Sequence, residues 1–301
     1  MSSSPLNSPA SQGTGIALIL FGALAVGLMP SAAKIAYQEG ANPLAVILLR
    51  SLVGVVGIGI YMLIRRYPFY IGWKAFQSSS ITGVSQSLTS IGMMGSVAYI
   101  DVSLAMVIVF CFPFWVSIFN HYSGSTRLTP IILMCFTSSL IGLGFVLGVN
   151  PGELNVTGIS LDILGMFSMA VMVIIVSDSS KKIGPITANF FMTGWTAVYF
   201  LIIDIFAPKL GLLENAIYPN SDLGWIAILG TGISFTLGYV LFFLGAAIIG
   251  TTRASILSIS EPVMIILMAI FLVDEWLTSL QWLGIMLVIG SLVVIELPKR
   301  P

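Results

Sequence analysis

Charged residues are scarce in this sequence. Twelve basic and twelve acidic residues make up 8% of its 301 positions, whereas an average soluble domain carries roughly 25%. So few charges cannot cover the surface of a soluble protein of this length, and the mean hydropathy is high, at +1.04. The composition therefore predicts a polytopic membrane protein. It excludes a soluble enzyme, a nucleic-acid-binding module and a disordered scaffold, and the net charge of zero also argues against a nucleic-acid partner.

Cysteine and histidine are also rare. The two cysteines, Cys111 and Cys135, both lie in apolar runs, and His121 is the single histidine. This composition excludes a disulfide framework and leaves no cluster of metal ligands. The sequence contains no Gly-x-x-x-x-Gly-Lys-Ser/Thr loop, so transport driven by ATP hydrolysis within this chain is disfavoured. We expect no metal and no cofactor.

Long apolar runs, in contrast, are abundant. A bilayer core of about 30 Å is crossed by about 20 apolar residues in a helix. Runs of this length also argue against an outer-membrane barrel, whose strands alternate in polarity at every second residue. Division of the chain at charges and turn residues predicts an all-α integral membrane protein with ten transmembrane helices. The predicted spans are 14–36, 43–64, 78–99, 102–122, 128–149, 159–180, 185–206, 224–248, 252–273 and 278–297.

The charges at the ends of the predicted spans are unevenly distributed. Nine of the twelve Lys and Arg residues fall on one side and only Lys34 and Lys209 on the other, while Arg50 lies within the second span. Because the basic side of a membrane protein faces the cytoplasm, we expect a multi-pass protein of the cell inner (plasma) membrane with both termini cytoplasmic. Residues 1–12 are rich in Ser and Pro and contain no Lys or Arg, and we expect them to form a disordered cytoplasmic tail.

The two halves of the chain resemble each other at an offset of 149 residues. The matches fall on spans three and four against spans eight and nine, and they place Pro113 on Pro262. Each half, 13–150 and 151–301, contains five predicted spans. Five is an odd number, so the halves would insert in opposite senses, as in secondary transporters with a substrate site between inverted repeats. Chance similarity between apolar helices is the alternative explanation.

Short motifs in the second half and one residue in the second span resemble a known family. They are Ser260-Glu261-Pro262-Val263, Asp274-Glu275-Trp276-Leu277-Thr278, Gln281, Gly284, Gly290 and Arg50. With the ten spans, they make the chain similar to the drug/metabolite transporter superfamily, EamA type. The resemblance implies a secondary transporter of amino acids, other metabolites or drugs, with a central cavity lined by spans one, three, four, six, eight and nine. The first half departs from the pattern, because Ser125-Thr126 stands in place of the acidic turn and Phe112 in place of Glu261.

Two charged residues lie deep in predicted spans. Glu261 is near the predicted bilayer centre of span nine, where a charge costs at least ~2.5–3.5 kcal/mol and usually faces a cavity or a partner. It could bind a cationic group of a substrate, carry a coupling proton, or be a structural carboxylate paired to Arg50. Arg50, well inside span two, could bind a substrate carboxylate or have a structural role.

Span three carries polar residues at three- and four-residue steps, which places Thr82, Gln86 and Thr89 on one face of a helix. Such a face contacts another helix or a wet cavity, and we assign Gln86 and Thr89 to the substrate site. The equivalent face of span eight contains Phe235 in place of Gln86, followed by Tyr239. One polar wall and one aromatic wall are therefore expected, with Tyr239 as a substrate-binding residue.

Spans four and nine contribute the remaining candidates. Phe112 and Trp115 flank Pro113 and could stack on a substrate or simply pack against lipid or other helices. Ser258, one turn before Pro262, is assigned to the substrate site. Pro113 and Pro262 are the candidate hinges, because a proline removes a backbone hydrogen-bond donor from a helix.

Together these residues predict a secondary transporter that moves a small polar organic metabolite, amino-acid-like or nucleoside-like, by alternating access through a central cavity. The expected partners are that metabolite, the lipid bilayer and either a coupling proton or a counter-substrate. Two alternatives remain. A membrane-embedded enzyme would need several catalytic groups at one depth, and one histidine with one deep acid falls short of that. A channel would need a ring of charges or carbonyl-forming loops, and neither is evident in the sequence.

Overall fold

The structure is a computed structural model and describes residues 9–122, 130–147, 155–211, 214–249, 254, 257 and 260–296. These residues form eleven α-helices and one short 3₁₀-helix, and no β-strand is present among them. The α-helices are α1 (Pro9–Gln38), α2 (Pro43–Arg65), α3 (Trp73–Ser96), α4 (Val102–Val109), α5 (Phe112–Tyr122), α6 (Pro130–Leu147), α7 (Val156–Ile183), α8 (Pro185–Phe206), α9 (Asp222–Ile249), α10 (Ser260–Val273) and α11 (Ser279–Glu296). The 3₁₀-helix is Pro208–Leu210.

Six helical stretches of the described chain are long and apolar enough to cross a membrane. They lie in α1, α2, α7, α8 and α9, and in α4 and α5 taken together. Shorter apolar stretches lie in α6, α10 and α11, and α3 is less apolar because Ser, Thr and Gln occupy much of it. Every predicted span overlaps a described helix. The described residues are all-helical in their regular structure, and the chain is a multi-pass membrane protein.

Two boundaries differ from the predictions. α1 begins at Pro9, so residues 9–12 belong to a helix and not to the predicted tail. Proline is favoured in the first turn of a helix, where its missing N–H needs no partner. The predicted fourth span is interrupted, because α4 ends at Val109 and α5 begins at Phe112. Pro113 explains the interruption, since it cannot donate to the Val109 carbonyl and its ring clashes with that carbonyl in a continuous helix.

Asparagine caps fix the starts of two helices at the lysine-poor end. Asn42 precedes α2, and its side-chain oxygen accepts a hydrogen bond from the Ala45 N–H at 3.0 Å. Asn155 precedes α7 and accepts one from the Gly158 N–H, also at 3.0 Å. Each cap satisfies one of the N–H groups that have no partner within the helix. The first turns of α2 and α7 are thereby stabilised.

Hydrogen bonds also join α1 to the segment that precedes α9. The Asn42 N–H donates to the Ile217 carbonyl at 3.0 Å. The Ser221 hydroxyl donates to the Glu39 carboxylate at 2.5 Å. We call these four residues the α1–α9 clasp. The clasp holds the end of α1 against the start of α9 at the lysine-poor end of the molecule.

Glu275, in the turn between α10 and α11, binds the start of α4. Its carboxylate accepts hydrogen bonds from the Val102 N–H at 2.6 Å, the Ser103 N–H at 3.0 Å and the Ser103 hydroxyl at 2.6 Å. Asp101, directly before α4, makes no side-chain cap of its own. Glu275 is only 9% exposed. A residue in the second half of the chain thus caps a helix of the first half from a buried position.

The long helices pack in two close pairs, α1 along α9 and α3 along α7. Where α3 crosses α7, a Cβ on Gly92 would overlap the backbone of Gly165 and lie 2.6 Å from the Leu161 carbonyl oxygen. Where α1 crosses α9, a Cβ on Gly238 would overlap the side chain of Val26. Small residues allow membrane helices to approach this closely, so these glycines determine the spacing of both pairs.

We expect Gly92→Ala to lower the melting temperature of the protein. The added methyl group forces α3 away from α7, and overpacking of this kind costs about 1–3 kcal/mol. Gly194→Ala in α8 is the matched control, because no atom lies within 4 Å of its Cβ position. Thermal unfolding of both variants in detergent measures the difference. Equal melting temperatures would contradict the close contact between α3 and α7.

Candidate functional site

A small cavity lies among the helices, with a volume of about 70 Å³. Its walls come from α1, α3, α4, α7, α9 and α10, with Arg50 of α2 added. These are the six predicted helices that the resemblance implied, since α7, α9 and α10 correspond to spans six, eight and nine. The polar residues of the lining are Arg50, Gln86, Thr89, Ser90, Tyr239 and Glu261.

Arg50 is the cation of the cavity and is only 4% exposed. Its Nη2 donates to the Ser90 hydroxyl at 2.5 Å, and its Nη1 lies 3.7 Å from the Met29 sulfur. The guanidinium carbon is 4.9 Å from the centre of the Phe235 ring, which is within the range of a cation–π interaction. The Nε atom is buried and makes no hydrogen bond to the described residues.

Arg50 is not paired to a carboxylate in the part of the chain that the structure describes. The ionisable groups that interact with it are the phenols of Tyr37 and Tyr239. The structure therefore does not form the ion pair between Arg50 and Glu261 that the sequence left open as a structural role. A buried charge without a partner is costly, so an anionic ligand beside Arg50 would be favoured.

Glu261 reaches the same cavity from the second position of α10. Tyr239 also lines the cavity and interacts electrostatically with both Arg50 and Glu261. The cavity thus contains one basic and one acidic group, and both act on the same tyrosine. Such an arrangement suits a molecule that carries charges of both signs.

The α3 wall presents the predicted polar face. Gln86 and Thr89 are each 5% exposed and line the cavity. The Thr89 hydroxyl donates to the Ser85 carbonyl at 2.9 Å, and the Ser90 hydroxyl donates to the Gln86 carbonyl at 2.8 Å. The side-chain oxygen of Gln86, in contrast, is buried without a hydrogen bond to any described residue. The side-chain oxygen of Gln86 can therefore accept a hydrogen bond from a ligand.

Two predicted aromatic residues, Phe112 and Trp115, do not line the cavity. Trp115 packs on Phe167 with ring centres 4.4 Å apart, and both Phe112 and Trp115 pack in an apolar cluster that also includes Phe110. Phe110 lines the cavity instead. The break between α4 and α5 explains the change, because residues after it no longer follow the helical register of α4. Predicted site residue Ser258 lies outside the described residues.

The two candidate hinges occupy similar places. Pro113 is the second residue of α5, and Pro262 is the third residue of α10. Each therefore lies in the first turn of its helix and not in the middle. Proline is well accommodated in a first turn, and the backbone preceding each one is the point at which a helix direction can change.

Methionines form much of the wall, and none of them was among the predicted site residues. The cavity is lined by Met29, Met93, Met94, Met169 and Met172. Met93 lies on the polar face of α3, seven residues after Gln86, and Met169 and Met172 are three residues apart on α7. These spacings were available signals, and Ser90, four residues after Gln86, was another. Methionine adapts its shape to different neighbours, which suits a wall that receives a ligand.

The fold and the cavity define a class of protein, a helical membrane protein with a polar, charged cavity enclosed between its helices. Residues 156–297 match the EamA-like transporter family. The second half of the chain therefore carries an EamA-like domain, and the whole chain is similar to EamA-type members of the drug/metabolite transporter superfamily. The predicted resemblance is confirmed.

Curated relatives are named as transporters. The chain is 28% identical over 207 residues to the uncharacterized inner membrane transporter YicL of Salmonella typhimurium, and the match covers 66% of each chain, just under two thirds. It is 26% identical over 262 residues to the uncharacterized transporter YcbK of Bacillus subtilis, covering 83% of this chain and 82% of the relative. An uncharacterized transporter of Archaeoglobus fulgidus is 22% identical over 274 residues, covering 90% and 93%. This chain is accordingly a membrane transporter.

Solved structures are similar as well. One of them, a crystal structure, superposes with a TM-score of 0.62 at 17% sequence identity, over 92% of this chain and 96% of that chain. At this level of identity, the likeness demonstrates the fold alone.

Proposed function

We propose that this protein is a secondary transporter of a small polar organic metabolite, amino-acid-like or nucleoside-like, in the cell inner membrane. The observation that carries the proposal is the enclosed cavity in which Arg50 and Glu261 both lack a partner of opposite charge among the described residues. Groups of both signs at one site favour a substrate with polar or zwitterionic character. The distribution of Lys and Arg supports a cytoplasmic location of both termini.

The proposal includes ten spans in two inverted repeats of five. In such an arrangement, span one corresponds to span six, and span three corresponds to span eight. Packing of span one on span eight is therefore equivalent to packing of span six on span three. The two close helix pairs, α1 with α9 and α7 with α3, are these combinations. The positions of Pro113 and Pro262 at the starts of α5 and α10 support the same relation.

Transport would proceed by alternating access. A cavity of about 70 Å³ holds about two water molecules at roughly 30 Å³ each, whereas ligand pockets are usually about 300–1,000 Å³. A metabolite therefore enters only after the helices move apart. Pro113 and Pro262 are the proposed hinges for that movement. Either a proton on Glu261 or a counter-substrate would couple transport to an energy source.

Thermal stability of the purified protein against a broad metabolite panel tests the proposal. A ligand at 100 times its Kd adds about 2.7 kcal/mol to the folded state. We expect at least one small charged metabolite to raise the melting temperature and the shift to be lost in Glu261→Gln. Glu214→Gln, the same change at an exposed residue, is the control and should retain the shift.

Counterflow in proteoliposomes then separates a carrier from the alternatives. The metabolite identified by thermal shift should show saturable exchange against its own unlabelled form. A flux that does not saturate would indicate a channel. Chemical conversion of the metabolite would indicate an enzyme, and either result would contradict the proposal.

A further inference from the structure

A larger cavity lies at the lysine-rich end of the molecule, between the start of α3 and the end of α7. Its volume is about 790 Å³, about ten times that of the central cavity. Isoleucines line it together with polar and charged residues of both helices. These polar and charged residues are Lys74, Ser78, Ser179 and Lys182. We call this cavity the α3–α7 cleft.

The cleft lies on the helix faces that also form the central cavity. On α3, Ser78 precedes Gln86 by eight residues and Thr89 by eleven. Eleven residues make about three helical turns, so Ser78 and Thr89 lie on the same face of α3. On α7, Ser179 precedes Lys182 by three residues and follows Met172 by seven. Eight residues of helix correspond to about 12 Å. The cleft therefore leads along both helices towards the central cavity.

The proposed repeats give the cleft an equivalent place at the other end of the molecule, and that place is closed. In the proposed inverted repeats, the end of α7 and the start of α3 correspond to the end of α1 and the start of α9. That second place is occupied by the α1–α9 clasp, with its hydrogen bond between Ser221 and Glu39. The lysine-rich end of the molecule is thus open between α3 and α7, whereas hydrogen bonds close the lysine-poor end between α1 and α9.

The charged residues in the described lining of the cleft are all basic. Lys74 and Lys182 are both exposed, and no acidic residue lines the cavity with them. The nearby side chains of Asp178 and Lys181 lie outside the described part of the chain. Farther along the same path, Arg50 is the cation of the central cavity. A concave surface with cations of this kind raises the local concentration of anions.

We propose that the α3–α7 cleft is the cytoplasmic entrance to the central cavity and that Lys74 and Lys182 make it selective for solutes bearing an acidic group. This inference rests on the proposed transport function, and among its substrate classes it favours the amino-acid-like one over an uncharged nucleoside. Arg50 receives the acidic group after it has passed the two lysines.

The test measures which charged thiol reagents reach the cleft. Ser78→Cys introduces a reporter on its α3 wall, while the native Cys111 and Cys135 are buried, at 2% and 7% exposure. Membrane-impermeant methanethiosulfonates carrying a sulfonate or a trimethylammonium group are the probes. In everted membranes, we expect the ratio of anionic to cationic reaction rates to exceed that of free cysteine by about tenfold. In right-side-out membranes, the reporter should be protected.

Charge variants identify the source of the selectivity. Lys74→Gln with Lys182→Gln should return the rate ratio to that of free cysteine. Arg65→Gln with Arg66→Gln removes two cations from the same end without touching the residues that line the cleft, and the ratio should stay high. An unchanged ratio in the lysine variant would overturn the proposed role of the two lysines. If Ser78→Cys does not fold, Ser179→Cys supplies the reporter from the opposite wall.

Two further results would overturn the entrance itself. The first is reaction of the reporter from the other side of the membrane or from neither side. The second is protection in vesicles that contain phosphatidylglycerol but not in vesicles of phosphatidylcholine alone, which would assign the cleft to an anionic lipid. Because labelling requires no transport, a chain that labels as expected but shows no counterflow would contradict the proposed function and leave the anion-selective cleft in place.

Discussion

Glu275→Ala is expected to lower the free energy of unfolding by about 3 kcal/mol, since hydrogen bonds to a charged group contribute roughly 1.5–3 kcal/mol each and are not fully additive. The substitution removes the acceptor of three hydrogen bonds from Val102 and Ser103. It also leaves two backbone N–H groups of α4 without partners in a buried place. Chemical or thermal unfolding in detergent measures the loss.

The neighbouring acid provides the matched control. Asp274 is exposed, and its backbone φ is +52°, a conformation that asparagine also tolerates. Asp274→Asn therefore removes one negative charge from the same turn without removing a hydrogen bond to α4. A melting temperature for Glu275→Ala equal to that of Asp274→Asn would contradict the capping role.

Arg50→Met is expected to weaken binding of the metabolite identified by thermal shift by about 100-fold. Loss of one partner from a buried, hydrogen-bonded charge pair typically costs about 2–5 kcal/mol, and Arg50 is the one cation among the described lining residues of the cavity. The ligand-free protein, in contrast, should be as stable as the wild type or more stable, because a buried cation without a carboxylate partner is replaced by an apolar chain of similar length.

These opposite effects on binding and stability distinguish a ligand-binding role from a structural one. Arg66→Met, the same substitution at an exposed residue, should change neither quantity. Arg50→Lys should retain part of the affinity, since it keeps the charge but not the planar set of donors. A marked fall in the melting temperature of ligand-free Arg50→Met would show that the guanidinium is a structural group.

Polar residues at membrane depth were the most informative part of the sequence. Arg50, Gln86 and Glu261 stand out against apolar neighbours, because a membrane span has few reasons to contain them, and all three line the central cavity. The helices were predictable for a related reason, since apolar runs of the required length are difficult to accommodate otherwise.

The apolar part of the site was harder to predict. Phe110 and Phe112 are only two residues apart, and the break at the start of α5 decides which of them faces the cavity. The proline that causes the break is visible in the sequence, but the direction in which the chain continues depends on packing against α7. The α1–α9 clasp was also beyond prediction, because Glu39 and Ser221 are 182 residues apart and no local pattern links them.

The hydroxyl groups of α3 have a consequence for the cost of moving this helix. The hydroxyls of Thr82, Ser87 and Thr89 each donate to a carbonyl three or four residues earlier in the same helix. A helix built in this way carries its hydrogen-bond partners with it, and a change of neighbours leaves none of these donors unsatisfied. These three hydroxyl groups therefore allow α3 to slide against apolar surfaces without breaking a bond, whereas the Ser96 hydroxyl, which donates to the Asp162 carboxylate of α7 at 2.8 Å, ties the end of α3 to its neighbour.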